Sequence, residues 1–248
     1  ILQTRDGAIW VTSNVSGRGV SRFDGKMWTH YPLRDLGGTS ITSSLLETSD
    51  GALWVGGHQG RLHIFKDGTW QIFRPSQAPI PLVRLTDLVE TPDGAVWIAG
   101  LGKEVVRIDY ATDRWRTYKD LRFECEGPEG TLWFITGDRS VVCTDGTTWI
   151  RYGQEDGLLD RVESVIVARD GVVWAAGSHR SRAAVAHFNP NAGSSWFRQV
   201  HADLGNDIDF NAVFQAADGA MWFGASGVVR GQTGGVLRFD GVNWEHYT

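Results

Sequence analysis

No run of basic residues occurs in this chain, whose 24 Lys and Arg stand against 29 Asp and Glu for a formal net charge of −5. A nucleic-acid surface needs a clustered positive footprint, so no nucleic-acid partner is expected. No apolar stretch is long enough to cross a bilayer as a helix, and no membrane segment is expected. No window of about a dozen residues keeps a helical apolar period, so little helix is expected. A Gly-x-Ser-x-Gly elbow, a His-Glu-x-x-His zinc motif and a phosphate-cradling loop are all missing. The glycine-rich stretch from Gly224 to Gly235 lies between two strand-like runs and opens no helix, which fails the context test for a nucleotide loop. No cofactor is expected. The chain begins at Ile1 rather than Met. It reads as processed or shortened, so a missing leader says nothing about compartment.

Only two cysteines are present, Cys125 and Cys143. They fall on the first and third strands expected for one repeat unit, with a strand between them. Two strand spacings of about 4.8 Å exceed the roughly 7 Å Cα limit for a bridge. Two free, mostly buried thiols are predicted, and Cys125 takes a position held by Leu46, Val89, Ile166 and Phe214 in other units.

Tryptophan is what the chain has in abundance, and all 12 fall into one repeating pattern. Trp10, Trp54, Trp97, Trp133, Trp174 and Trp222 each sit four residues after the acidic member of an acidic-Gly pair. Trp28, Trp70, Trp115, Trp149, Trp196 and Trp244 close the same six units. The anchors are Asp6-Gly7, Asp50-Gly51, Asp93-Gly94, Glu129-Gly130, Asp170-Gly171 and Asp218-Gly219, spaced 36 to 48 residues apart. A fixed core with a variable period places insertions in loops. Each unit reads as four short strands, rich in Val, Ile, Phe, Trp and Tyr and bounded by Gly, Asp, Ser and Thr. The Asp-Gly pairs supply the positive φ that hairpin turns require.

Six such meanders cannot each bury two faces alone; stacked around an axis, each covers the next. The fold class predicted is all-β, a six-bladed β-propeller with four antiparallel strands per blade. The whole chain, 1–248, is read as one domain, with repeats at about 1–35, 36–78, 79–119, 120–155, 156–200 and 201–248. The paired indoles are expected to pack between blades, each burying on the order of 150–250 Å².

The unit resembles the two-component regulator propeller repeat. Its best copies are Asp50-Gly51-Ala52-Leu53-Trp54-Val55-Gly56-Gly57 and Gly235-Val236-Leu237-Arg238-Phe239-Asp240-Gly241 with Trp244 and Tyr247. The resemblance implies an extracytoplasmic (periplasmic or secreted) sensor propeller of bacterial signalling proteins, which recognises a ligand or partner and performs no chemistry. The run Gly130-Thr131-Leu132-Trp133-Phe134 is similar to the turn of streptogramin-lyase-like propellers, which implies the alternative of a lyase or hydrolase. A structural protein-interaction scaffold is the third reading.

Loops joining strands one to two and three to four are mostly tight; those joining two to three, and one unit to the next, vary. The two classes lie at opposite ends of a four-stranded blade, and function concentrates on variable loops held by a rigid scaffold. The variable end is therefore the candidate face for a small-molecule or glycan ligand or a protein partner, on a monomeric domain. Alignment on the acidic turn puts Arg84, Arg161 and Asp209 at one level of the channel mouth, Arg122 and Glu163 at the next, and Asp87 beyond. Arginines there can hold a carboxylate, phosphate or acidic sugar by bidentate contacts. Against this stands mutual neutralisation, with Arg84 pairing Asp87 or Asp209 and Arg161 pairing Glu163. His58 and His179 occupy comparable loops and are general-base candidates, as is a carboxylate of the same face, though neither His has an acidic orienter at fixed spacing. Asp203, Asp207 and Asp209 offer oxygens to a hard cation, but their spacing matches no calcium loop and no metal is expected.

Overall fold

The computed structural model describes residues 1–13, 19–32, 42–57, 62–73, 85–112, 114–193, 195–227 and 234–247. They form 24 strands in six sheets, each of four strands in chain order. The first sheet holds β1 (Leu2–Gln3), β2 (Ile9–Thr12), β3 (Val20–Phe23) and β4 (Trp28–Tyr31). The second holds β5 (Thr42–Glu47), β6 (Leu53–Gly57), β7 (Leu62–Lys66) and β8 (Thr69–Phe73). The third holds β9 (Leu85–Glu90), β10 (Val96–Gly100), β11 (Glu104–Asp109) and β12 (Arg114–Lys119). The fourth holds β13 (Leu121–Glu126), β14 (Leu132–Thr136), β15 (Val141–Thr144) and β16 (Trp149–Tyr152). The fifth holds β17 (Arg161–Val167), β18 (Val173–His179), β19 (Arg182–Phe188) and β20 (Phe197–Val200). The sixth holds β21 (Ile208–Gln215), β22 (Met221–Gly227), β23 (Gly235–Phe239) and β24 (Trp244–Tyr247). This is the all-β, six-bladed propeller class read from the repeat. The chain divides into two compact units, Ile1–Arg122 and Phe123–Thr248.

The acidic turn explains why the unit recurs. In the first sheet the Gly7 N–H donates to Thr4 O at 2.8 Å and the Thr4 N–H to Ala8 O at 2.9 Å. That makes a three-residue loop closed by Gly7 at φ 84°, rather than the two-residue turn an Asp-Gly pair most often signals. Asp6 Oδ1 accepts from Thr4 Oγ1 at 2.6 Å and from the Ala8 N–H at 3.0 Å. Asp50 and Asp93 repeat both contacts with Thr48 and Ala52, and with Thr91 and Ala95. These bonds hold the Asp6 carboxyl down at about 2, and the hydrogen bond from Lys66, with those from Thr48 and Ala52, holds Asp50 down at about 2 as well.

Within the first unit, neighbouring sheets meet through aromatic rings. Trp10 lies 5.4 Å from Phe65 and 6.3 Å from Trp70, and Trp54 lies edge-on to Tyr110 at 5.4 Å. Backbone latches add to this contact. The Arg5 N–H donates to Glu47 Oε2 at 2.8 Å, and Ser49 donates through N and Oγ to Glu90 at 2.5 and 2.7 Å.

The second unit repeats the scheme. Trp133 stacks on Tyr152, which packs on Phe188 and Trp196 of the next sheet at 5.1 and 5.8 Å. Trp174 meets Phe223 and Phe239 at 5.7 and 5.8 Å. The Arg169 N–H donates to Gln215 Oε1 at 2.9 Å.

The expectation that all paired indoles pack between sheets needs correction. Trp10, Trp54, Trp97, Trp133, Trp174 and Trp196 are buried, whereas Trp28 is 57% exposed and Trp149 is 37% exposed. Both exposed rings sit on the last strand of their sheets. They rest instead on Phe23 and Phe134 of their own sheets. Cys125 and Cys143 are free thiols, with Cys143 buried and Cys125 partly so. Burial pushes them up to about 12 and about 11.

Candidate functional site

A β-bulge recurs at one position of the first strand in four sheets. The register of β5 on β6 skips between Thr42 and Ser44, of β9 on β10 between Leu85 and Asp87, of β17 on β18 between Val162 and Ser164, and of β21 on β22 between Phe210 and Ala212. The residues that the register skips, Ser43, Thr86, Glu163 and Asn211, all lie seven before the acidic turn residue. Bulges bend a strand and re-aim its side chains, and they gather next to functional sites. The partner strand yields to the crowding. A Cβ on Gly177 would meet Arg161 O at 1.9 Å, so only glycine fits opposite the bulged strand in the fifth sheet.

In the second unit the bulged level is the hub of a charged cluster drawn from three sheets. Glu163 accepts from Arg161 Nε at 2.7 Å through Oε1 and from Arg139 NH1 at 2.7 Å through Oε2. Arg161 NH1 lies 3.5 Å from Asp209 Oδ2 on β21. The carboxylates lie below, their side chains 15% and 10% exposed, and the arginines above, 39% and 47% exposed for Arg139 and Arg161. Burial pushes the Glu163 carboxyl up, but hydrogen bonding by Arg161 and the charge of Arg139 reverse it and leave the group below its ordinary value. The Glu163 hydrogen bond and the Asp209 charge raise Arg161 further.

Arg139 is placed by a tight β14–β15 hairpin. Its N–H donates to Thr136 O at 3.0 Å while the Thr136 N–H donates to Ser140 O at 2.9 Å, and Arg139 itself takes φ 68°. Asp138 in the same turn accepts from Thr136 Oγ1 and pairs with Arg151. The guanidinium thus projects from a rigid corner.

His179 ends β18 and is mostly buried, with Nδ1 3.5 Å from Asp160 Oδ2 and Nε2 2.9 Å from Arg198 NH1. Arg198 is itself fixed on the carbonyls of Gly157 and Leu158 at 3.1 and 2.5 Å. An arginine only donates, so Nε2 is an acceptor here and the proton sits on Nδ1, facing Asp160. Burial and the nearby Arg198 charge lower the His179 pKa. The nitrogen that would take a proton as a general base is occupied.

Of the residues singled out from sequence, Arg161, Glu163 and Asp209 come together, and the Arg161–Glu163 pairing weighed there is observed. His179 stands in the same unit with partners of its own. Asp87 is half-buried on β9, and Arg122 is exposed at the end of the first unit. Arg84 and His58 lie outside the described residues. Asp203 and Asp207 are exposed, the Asp207 N–H donates to Ser181 O at 2.7 Å, and Asp209 turns to Arg161. Among the described residues, no three His, Cys, Asp or Glu side chains gather as a metal-binding group.

Sequence reasoning did not assign Asp160 and Arg198 to His179, because each contact spans about one strand pair along the chain. Nor did it register the bulge, although the crowded Gly177 facing it was a readable sign.

The family model of the two component regulator propeller matches residues 35–59. Among solved structures, the extracellular domain of a hybrid two component system from B. thetaiotaomicron is similar at TM-score 0.60 and 13% identity, over 97% of this chain and 33% of that one. A catalytically inactive virginiamycin B lyase from Staphylococcus aureus with quinupristin is similar at 0.58 and 16% identity, over 100% and 82%. YCF48 from Cyanidioschyzon merolae is similar at 0.61 and 12% identity, over 99% and 83%. Likenesses at these identities carry the fold alone. The chain spans about a third of the two-component extracellular domain it matches. No curated protein matches it. Among the described residues, no helix is long and apolar enough to cross a membrane.

Proposed function

We propose that this chain is a non-catalytic recognition propeller, extracytoplasmic in placement, whose variable end binds a small molecule, glycan or partner segment rich in acceptor oxygens. The observation that carries the reading is the Arg139–Glu163–Arg161–Asp209 cluster. Three sheets supply it, and its carboxylates brace two guanidiniums from beneath. Braced arginines lose less freedom on binding than free ones, and their outward N–H groups suit carboxylate, sulfate or clustered hydroxyl oxygens. The mixed charge disfavours a bare point-charge site for anions. The likeness to extracellular domains of two-component systems supports the placement and the sensing role.

A thermal-shift screen against acidic sugars, short peptides and divalent cations tests it, repeated on Arg161→Ala and Arg139→Ala. Ligands that stabilise the parent chain should lose that effect in both variants. Equal shifts in parent and variants would reject this site.

A hydrolase or lyase is the weaker reading. His179 with Asp160 resembles a base with its orienter, but Arg198 occupies Nε2, and the lyase likeness extends only to fold.

A further inference from the structure

His179, at the end of β18, lies between β20 and the segment that leads into β17, and its imidazole changes charge near neutral pH. The side chain is 15% exposed. Nε2 accepts from Arg198 NH1 of β20 at 2.9 Å. The rest of the Arg198 guanidinium reaches the segment before β17, with Nε on Gly157 O at 3.1 Å and NH2 on Leu158 O at 2.5 Å. That segment runs on to Asp160, whose Oδ2 accepts from the Arg180 N–H at 2.9 Å, and then to Arg161 of the charged cluster. His179 and Arg198 thus brace the strand start that carries Arg161.

Among the described residues, the charged groups around the ring are Asp160 from that segment, Arg198 from β20, Arg180 next in its own hairpin and Arg182 opposite it on β19. Arg182 is engaged with Asn206 Oδ1 at 3.1 Å, and Arg161, opposite Ser178, with Glu163 at 2.7 Å. Burial first and the Arg198 charge next keep the imidazole neutral to lower pH than usual, and Asp160 opposes them. In the neutral ring Nδ1 is buried without a hydrogen-bond partner, 3.5 Å from Asp160 Oδ2.

A proton from solvent on Nε2 turns that atom from acceptor to donor. It then faces a guanidinium that only donates, so the contact with Arg198 breaks. The added charge draws the ring toward the Asp160 carboxylate. The guanidinium is planar, so moving NH1 away from the ring also moves the Nε and NH2 that hold Gly157 and Leu158.

We propose that His179 is a pH-sensitive brace for the charged cluster: a proton on Nε2 expels Arg198, loosens the segment 157–160 and lets Arg161 leave Glu163 and Asp209. The consequence for a ligand, weaker binding in acid, rests on the cluster being the binding site. The coupling itself belongs to the free chain and does not.

NMR of the ¹⁵N-labelled chain without ligand, titrated from about pH 7.5 to about pH 4.5, tests the coupling apart from any binding. The His179 ring nitrogens should titrate with a midpoint below the ordinary 6.5. The amides of Leu158, Asp160 and Arg161 and the Arg161 Nε–H should shift with that same midpoint. In His179→Gln, whose side-chain oxygen accepts from Arg198 at every pH, the shared transition should vanish from those signals, while changes driven by the nearby carboxylates remain. If this variant does not fold, the match of midpoints in the parent chain decides alone. Signals at Leu158, Asp160 and Arg161 that stay still while His179 titrates, that move with a different midpoint, or that keep the transition in His179→Gln would overturn the proposal. Equal thermal shifts in the parent chain and Arg161→Ala bear on the binding reading and leave this coupling standing.

Discussion

The Nε of Arg161 lies 2.7 Å from Oε1 of Glu163, two residues along the same strand and at its bulge. Glu163 is more buried than either arginine it holds, so it is the structural centre of the cluster and the arginines are its outer face. Glu163→Gln keeps the shape but leaves two guanidiniums with one carboxylate fewer between them. Hydrogen bonds to charged groups contribute about 1.5–3 kcal/mol each, and partial exposure reduces that. Urea unfolding should show a loss of about 1–2 kcal/mol, larger than for Arg161→Ala, whose removal leaves Glu163 paired with Arg139. The reverse order would mean that the arginines, not the carboxylate, organise the site.

The latch between sheets gives a second prediction. Glu90 accepts from both N and Oγ of Ser49 on the preceding sheet. Glu90→Ala removes two charge-assisted bonds at a solvated edge, with an expected cost of about 1–2 kcal/mol. Amide exchange at Ser49 should accelerate while the amides of β10 stay protected. Uniform acceleration across the first unit would show that the latch is not local.

How far the fold was readable follows from what repeats. The acidic turn and the first indole recur because each sheet needs the same hairpin and the same packing ring, so the sequence period exposes them. Trp28 and Trp149 obey the period yet stay exposed, so the local pattern alone does not fix burial. The site was legible only in part. Arg161, Glu163 and Asp209 emerged from alignment on the turn, since strand starts line up at one level. Arg139 as a partner of Glu163, and Arg198 as the cap on His179, depend on side chains reaching between elements whose separation along the chain carries no period.

The last prediction concerns acid. His201 is 5% exposed, edge-on to Trp244 at 4.4 Å and to Phe210 at 5.5 Å. Burial lowers its pKa below the free value of 6.5, with Asp203 opposing only weakly, and burial lowers His187 as well. The unfolded chain therefore takes up these protons first. Stability is complete above about pH 6.5 and falls as pH drops toward the depressed folded values, by at most about 1.4 kcal/mol per pH unit for each imidazole. His201→Phe keeps a ring against Trp244, and the His201 backbone N–H can still donate to Ala183 O. Urea midpoints measured at pH 7.5, 6.0 and 5.0 should decline less steeply in this variant than in the parent chain. The same decline in both would place the acid sensitivity elsewhere, in His187 or His179, and single substitutions there would be the next to compare.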